Sequence, residues 1–249
     1  MGKQDILEEE LRIGSAILEW EIGDIWGHVG ARNEEKDEII IKGLRLPGGD
    51  ERDLDDWIVR FDYDGKKTSG VDQIPGEAAI YTEILKARPD VNAVVHLHPP
   101  MCIALSLADK TVYNVHQQSR QFGAGVPVFP HPIFIIDKSE GQALAKTLGD
   151  ASAVIIKGHG VVTVGKDVDD AVTNALYLER TAKIQAFAHL LGFKEPKGEF
   201  LAEMNASSDK LQALIRNRGE RRDGRRYSIE WSYYARQVRK GLRWTRGFM

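Results

Sequence analysis

The sequence contains a single cysteine, Cys102, among its 249 residues. An intramolecular disulfide is therefore impossible, a cluster of thiolate metal ligands is excluded, and the chain reads as cytoplasmic. It also lacks an excess of charge: 34 Lys and Arg against 37 Asp and Glu give a net charge of −3. No global field exists to collect nucleic acid, and a basic surface interleaved with aromatics is missing from the main body. No apolar stretch is long enough to span a bilayer. The opening MGKQDILEEELRIGSAILEW has an acidic helical pattern where a signal peptide would show a basic start and an apolar run. Its Met-Gly is not followed by Ser or Thr at the position favoured for myristoylation. Neither nucleic acid nor a membrane is an expected partner. Internal repeats and low-complexity blocks are absent, which removes solenoids. What remains, with 42% hydrophobic and 29% charged residues, is an ordinary globular composition of a size that suits one large α/β domain.

The pattern along the chain supports that class. Residues 5 to 20 place Ile6, Leu7, Leu11, Ile13, Ile17 and Leu18 near helical spacing, and IGDIWGHVGAR then breaks the helix into a glycine-rich loop. DEIIIKG and WIVRFDYDG read as antiparallel strands joined by LRLPGGDERD. EAAIYTEILKARPD is a helix with proline at its start and Arg-Pro at its end, and it feeds the buried-strand pattern VNAVVHLH. MCIALSLADK is helical, VPVFPHPIFII strand-like with prolines at its bend, and KSEGQALAKTLGD a capped helix. ASAVIIKGHGVVTVG is two strands turning at Gly-His-Gly. The long helix that follows carries Ala171, Ala175, Leu178, Ala182, Ile184 and Ala188 toward a sheet. Residues 205 to 226 turn basic and polar, and YSIEWSYYARQVRKGLRW returns to aromatic periodicity. These features divide the chain into a domain over 1–204 and an extension over 205–249 that docks on its own core or on a neighbouring subunit.

The sharpest chemical signal is VVHLHPP. Residues i and i+2 of a strand share a side, so His96 and His98 can converge on one ion while Leu97 faces the core. His159, between two glycines in a turn, supplies a third imidazole, and three neutral imidazoles with an open position are the plan of a catalytic metal site. Zn²⁺, Mn²⁺, Co²⁺ and Fe²⁺ all accept such a set. The alternative is a pair of hydrogen-bonded histidines at a sheet edge. Glu77, at a helix start, suits either an anion beside the dipole or a plain capping residue.

PGEAAIYTEILKARPDVNAVVHLHPP, followed by AVIIKGHGVVTVG, resembles the class II aldolase/adducin family. The resemblance runs from about Leu7 to Gly192. It includes GHVGAR, similar to the family's Gly-Asn-hydrophobic-Ser-x-Arg loop, and IIIKG, similar to its strand-then-glycine substrate loop. It implies a three-layer fold with a central mixed, mostly antiparallel sheet flanked by helices. It also implies one divalent ion per subunit held by His96, His98 and His159, with Glu77 as the acidic residue that ligates the empty site and exchanges protons. A homotetramer or larger homo-oligomer with sites between protomers is implied as well. Family aldolases acting on sugar phosphates hold the phosphate with an asparagine in the first loop and two serines before the glutamate. Here His28, Pro75 and Gly76 stand at those positions. Lost charge-assisted hydrogen bonds, each worth about 1.5–3 kcal/mol, disfavour a phosphorylated substrate. GHV-x-AR, P-G-E, the YLER helix and WSYYARQV are instead similar to a branch of metal-dependent decarboxylases of hydroxypyridine-dicarboxylates and dihydroxyphthalates, enzymes of aromatic catabolism.

The expected reaction is therefore loss of CO₂ from a small hydroxylated aromatic carboxylate, with Glu77 and then His28 as candidate proton carriers. His116 is a candidate substrate contact. Arg32, Lys42, Gly43 and Arg120, in expected loops, and Tyr233, Tyr234 and Arg236, from the C-terminal segment or an adjoining protomer, are candidate anchors for the carboxylates. The rivals are a retro-aldolase on an unphosphorylated hydroxy-keto acid, an epimerase or iron-dependent oxygenase on the same scaffold, and a non-enzymatic adducin-like module.

Overall fold

Period-two alternation fixes which side of the sheet each strand residue serves. A computed structural model of the chain describes residues 3–33, 35–43, 58–194, 196, 198–216 and 227–241. The connection LRLPGGDERD and the chain beyond residue 241 lie outside them. Eight strands form one sheet: β1 (His28–Asn33), β2 (Glu38–Lys42), β3 (Ile58–Phe61), β4 (Lys67–Ser69), β5 (Ala93–Leu97), β6 (Val128–Phe129), β7 (Ala153–Ile156) and β8 (Gly160–Gly165). Their order is β4-β3-β2-β1-β5-β8-β7-β6. Every neighbouring pair is antiparallel except β6 with β7.

Val29, Ala31, Ile40, Ala93, Val95, Leu97, Ile155 and Val161 face one apolar cluster, and Ile39, Ile41, Val94, Val154, Ile156, Val162 and Val164 face the other. The first face is covered by α1 (Lys3–Ile22), α3 (Pro100–Leu107), α5 (Val168–Leu190) and α7 (Ile229–Arg239), the second by α2 (Ala78–Ala87) and α4 (Lys138–Leu148). This is the expected three-layer, mixed and mostly antiparallel α/β fold. Burial on both faces explains the unbroken apolar runs: Ile39, Ile40 and Ile41 are all fully buried, and each such side chain is worth roughly 1.5–3 kcal/mol of transfer free energy. No helix among the described residues is long and apolar enough to cross a membrane.

Several local expectations change. The glycine-rich stretch is a loop only to Gly27, since His28 to Asn33 pair with both β2 and β5. VPVFPHPIFII forms a strand only at Val128 and Phe129, because Pro130 and Pro132 lack the N–H groups a ladder needs. On α5 the residues Ala171, Ala175, Leu178 and Ala182 are buried, but Ile184 is exposed and Ala188 half-buried, because the helix outruns the sheet. A sixth helix, α6 (Glu199–Arg216), runs across residues 204 and 205. The described helix of the aromatic C-terminal segment, α7, packs on its own core: Trp231 and Ala235 are buried in the first apolar cluster. Ser228 caps α7 and both donates to and accepts from the α5–α7 junction through Asp169 and Trp231.

Candidate metal centre

β1 and β5 lie side by side with His28 directly opposite His96, so the two rings stand on the α2 face of the sheet. His98 follows the last residue of β5, and the same parity brings it to that side. The β7–β8 turn carries His159 against both. Gly158 has φ +68, and at Gly160 a Cβ would sit 2.6 Å from the Leu97 carbonyl oxygen and 3.0 Å and 3.3 Å from the rings of His98 and His96. The two glycines of Gly-His-Gly therefore let the hairpin press onto the other two histidines. The three ring centroids are 4.9, 5.1 and 5.3 Å apart. Glu77 completes the group from the N-cap position of α2. Its side chain makes no capping hydrogen bond, so the capping role gives way to the cluster.

The hydrogen bonds on the outer side of each ring fix where its lone pair points. His96 Nδ1 lies 2.9 Å from the Val161 carbonyl oxygen, His159 Nδ1 2.8 Å from the Ile133 carbonyl oxygen, and His98 Nδ1 3.0 Å from Asp24 Oδ2. These oxygens only accept, so each Nδ1 carries a proton and each ring turns its Nε2 inward. His96 Nε2 donates to the ionised Glu77 Oε2 at 3.1 Å, and His159 Nε2 stands 3.7 Å from the same oxygen. His159 Nε2 is buried without a hydrogen-bond partner. One ligand atom from each of Glu77, His96, His98 and His159 lies within 4.8 Å of all the others. The partnerless His159 nitrogen and the ligand atoms converging on it fit a divalent ion with three nitrogens and one carboxylate oxygen, which would take the place of the proton between His96 and Glu77.

Charge states agree with that use. Burial opposes ionisation of Glu77, but the His96 ring beside it and the Ile135 N–H donated to Oε1 hold its carboxyl down at about 2. Burial and the neighbouring His96 lower the His159 pKa, keeping it neutral. His28 is pushed down to about 4 by burial. Its Nδ1 lies 3.0 Å from the Lys42 carbonyl oxygen, so it too carries its proton on Nδ1 and offers Nε2 as an acceptor.

A cavity of about 570 Å³ opens over the cluster, lined also by His28, Pro75, Gly76, Trp26, Tyr81, Ile133 and Phe134. The sequence reading missed Trp26, Tyr81, Ile133, Phe134 and Asp24. Tyr81 donates to the His28 carbonyl oxygen at 3.0 Å, and its hydroxyl pKa is raised well above normal by burial. Phe134 packs edge-on against His159, centroids 5.1 Å apart. The exposed faces of Trp26 and Phe134 give the mouth an aromatic rim. An I-W-G-H segment and a P-I-F-I-I segment with exposed aromatics are the only sequence signals for that rim.

Other expected contacts lie elsewhere in their own chain. Arg32 and Lys42 are strand residues, not loop residues. Arg32 shares a face with His28 but sits four residues along β1, roughly 13 Å away. Its guanidinium donates to Tyr63 Oη at 2.8 Å and to the carbonyl oxygens of Leu85 at 2.7 Å and Val91 at 3.3 Å. Leu85 belongs to the last turn of α2, where Pro89 has no N–H to offer, and Arg32 fills that gap. Lys42 supports His28 through its carbonyl group and reaches the Ile25 and Gly27 carbonyl oxygens at 3.5 Å. Gly43 passes so close to Asp72 that a Cβ would meet it at 2.7 Å. His116 caps the 3-10 turn Gln117–Phe122, accepting from the Gln118 N–H, and its Nε2 lies 3.1 Å from Thr181 Oγ1. Arg120 is in that turn, and Tyr233, Tyr234 and Arg236 are on α7. None of these eight lines the cavity of its own chain.

Comparison with known proteins agrees with this geometry. The chain is 33% identical over 199 residues to the 3,4-dihydroxyphthalate decarboxylase of Rhodococcus jostii (strain RHA1), covering 74% of this chain and 79% of the relative. It is 30% identical over 172 residues to the protein of that name from Arthrobacter keyseri, covering 64% and 68%. The L-fuculose 1-phosphate aldolase structure from Glaciozyma antarctica PI12 superimposes with a TM-score of 0.73 over 95% of this chain and 90% of that one, at 23% identity, a likeness of fold. Residues 20–186 match the family described as Class II Aldolase and Adducin N-terminal domain. The match spans two thirds of the chain and contains every member of the four-residue cluster, and the chain belongs to the class II aldolase and adducin family.

Proposed function

We infer that this carbon–carbon lyase decarboxylates a hydroxylated aromatic acid bearing one or two carboxylates, and that His96, His98, His159 and Glu77 hold its divalent cation, Zn²⁺ or Mn²⁺ before Co²⁺ or Fe²⁺. The observation that carries the reading is the state of His28, which offers a bare Nε2 to the cavity beside the cluster. A phosphate dianion has only acceptors at its oxygens and would meet that lone pair unfavourably. A ring hydroxyl brings a donor and matches it. Pro75 and Gly76, which also line the cavity, add no side-chain donor for phosphate.

A bound divalent ion supplies Lewis acidity at the substrate oxygen next to the breaking bond. His28 Nε2 accepts the ring hydroxyl proton. The C–C bond to the carboxylate breaks, CO₂ leaves, and its electron pair passes into the ring. The proton on His28 Nε2 then goes to the ring carbon that lost CO₂, and solvent restores the hydroxyl proton. A conjugate acid with a pKa near 4 is a strong donor for that last transfer. Glu77, ionised and already hydrogen-bonded, serves as ligand and anion rather than as resting acid. Trp26 and Phe134 offer faces for a flat ring at the mouth.

Among the described residues no Lys or Arg lines the cavity, while a dicarboxylate calls for cationic anchors. We therefore assign Arg120, Arg236, Tyr233 and Tyr234 to a neighbouring subunit's cavity, in a cytoplasmic homotetramer or larger assembly. The decisive experiment measures metal content and CO₂ release from hydroxylated aromatic dicarboxylates, 3,4-dihydroxyphthalate included, for the wild type and His96→Ala. Metal-dependent CO₂ release supports the reading. Bound metal with aldehyde accumulating from hydroxy-keto acids would make the chain a retro-aldolase, and a chain that takes up no metal would make it an adducin-like module.

A further inference from the structure

We propose that Asp24 is a positioning residue for the metal centre, a single carboxylate that sets the ring of His98 as a ligand and ties it to the lip of the cavity at Trp26. The inference rests on the reading that the four-residue cluster holds a divalent cation.

Asp24 lies two residues beyond α1, in the loop that leads to β1, and is 74 positions from His98 in sequence. Its side chain is only 8% exposed. Oδ2 accepts from the His98 backbone N–H at 2.7 Å and from His98 Nδ1 at 3.0 Å, and Oδ1 accepts from the Trp26 N–H at 2.9 Å. The loop closes over this carboxylate at Gly27, where a Cβ would lie 3.3 Å from Asp24 Oδ2 and 3.3 Å from the Leu97 Cβ.

The three imidazoles are not held alike. His96 sits inside β5, in register with Val162 of β8, and its ring donates to a neutral carbonyl group. His159 is held by its turn and also donates to a neutral carbonyl group. His98 lies one residue past the strand, where the ladder no longer fixes the backbone. Asp24 takes over that task by binding both its main chain and its ring. An anion behind an imidazole raises the electron density at the opposite nitrogen and locks the proton on Nδ1. An asparagine at this position would have to turn an N–H₂ toward either His98 or the Trp26 N–H. Facing His98 Nδ1, it would move the ring proton to Nε2 and block the lone pair that the ion needs. Facing Trp26, it would set one donor against another.

The test titrates chelator-stripped full-length chain with Zn²⁺ or Mn²⁺ against a chromogenic chelator, for the wild type, Asp24→Asn, Asp24→Glu and His96→Ala. The wild type is expected to bind one ion per chain. Asp24→Asn should keep that stoichiometry with affinity weakened about 10- to 100-fold, and imidazole ¹H–¹⁵N spectra of the metal-free protein should lose one Nδ1-protonated ring. Its turnover should recover at saturating metal. An Asp24→Asn affinity within twofold of the wild type, or a loss of melting temperature with unchanged affinity, overturns the proposal while leaving the cluster's role intact. Should Asp24→Asn not fold, Asp24→Glu carries the test: the extra methylene misplaces the carboxylate, several-fold weaker binding is expected, and unchanged binding overturns the proposal. A wild type that takes up no more ion than His96→Ala removes the reading beneath it.

Discussion

The two ends of the β1–β5 pair carry polar side chains on one face of one sheet and use them in opposite ways. At one end His28, His96 and His98 turn Nε2 toward the cavity, fixed there by hydrogen bonds on the far side of each ring. At the other, Arg32 gives its terminal N–H groups to Tyr63, Leu85 and Val91, leaving only Nε without a partner. A polar side chain whose partners all lie within the fold stabilises the fold. One that is oriented but left with an open lone pair is available for chemistry.

The largest effect expected from breaking this comparison is at His96. Replacement by Ala removes an inward ring nitrogen and leaves Glu77 Oε2 without its 3.1 Å partner. On the proposed metal-dependent reaction, loss of the ion would remove several kcal/mol of transition-state stabilisation, so turnover should fall on the order of 10³-fold or more. Metal analysis on the purified variant checks it; a variant that retains stoichiometric metal would remove His96 from the ligand set. His28→Asn comes next. It restores a donor amide where the fold now offers an acceptor, so kcat should fall roughly 10²-fold while metal content stays unchanged. A variant with wild-type kcat would take the proton transfer away from His28.

Arg32 gives the opposite signature. Arg32→Leu strips the donor from the Leu85 carbonyl oxygen at the end of α2 and from Val91, and should lower unfolding stability by about 2–3 kcal/mol in urea. Turnover per folded molecule should be kept. Loss of kcat at full stability would return Arg32 to the site and dissolve the contrast between the two ends.

Much of this was readable from the residues because it depends on parity and turns. His-x-His on a strand, Gly-His-Gly at a hairpin and the apolar alternation of β5, β7 and β8 fix sides of the sheet directly. Parity gives a side but not a position along it. Arg32 was expected in a glycine-rich loop as a carboxylate anchor, and as a β1 residue it lies two pleats from the site. His116 had no pattern to distinguish a substrate contact from the cap of a 3-10 turn. Asp24 was invisible because its partner is 74 residues away and nothing local pairs them. For Glu77 the residues alone left cap and ligand open, the resemblance implied the ligand, and the geometry leaves its side chain out of any capping bond.

The smallest predicted effect separates perturbed charge from function. Glu77, His28 and Asp167 all have shifted pKa values, and shifted groups are often taken as signs of a site. Asp167 caps α5 by accepting from the Asp170 N–H at 2.8 Å, and burial, with Asp170 and Asp169 nearby, raises it from 3.8 to about 6. The folded state then binds its proton more tightly than the unfolded chain. Its contribution is most favourable below pH 4 and is lost as pH rises from 4 through 6, so at neutral pH the ionised group carries the full penalty. Discounted for its partial exposure and the favourable helix dipole, that penalty is about 1 kcal/mol. Asp167→Asn keeps an oxygen for the cap and should gain about this much stability at pH 7.5 and nothing at pH 4, with CO₂ release and metal content unchanged. Urea unfolding at the two pH values checks it. An equal gain at both would assign the effect to packing, and a loss of turnover would mean that a strained, internally satisfied carboxylate far from the cavity contributes to catalysis after all, against the distinction that separates Arg32 from His28.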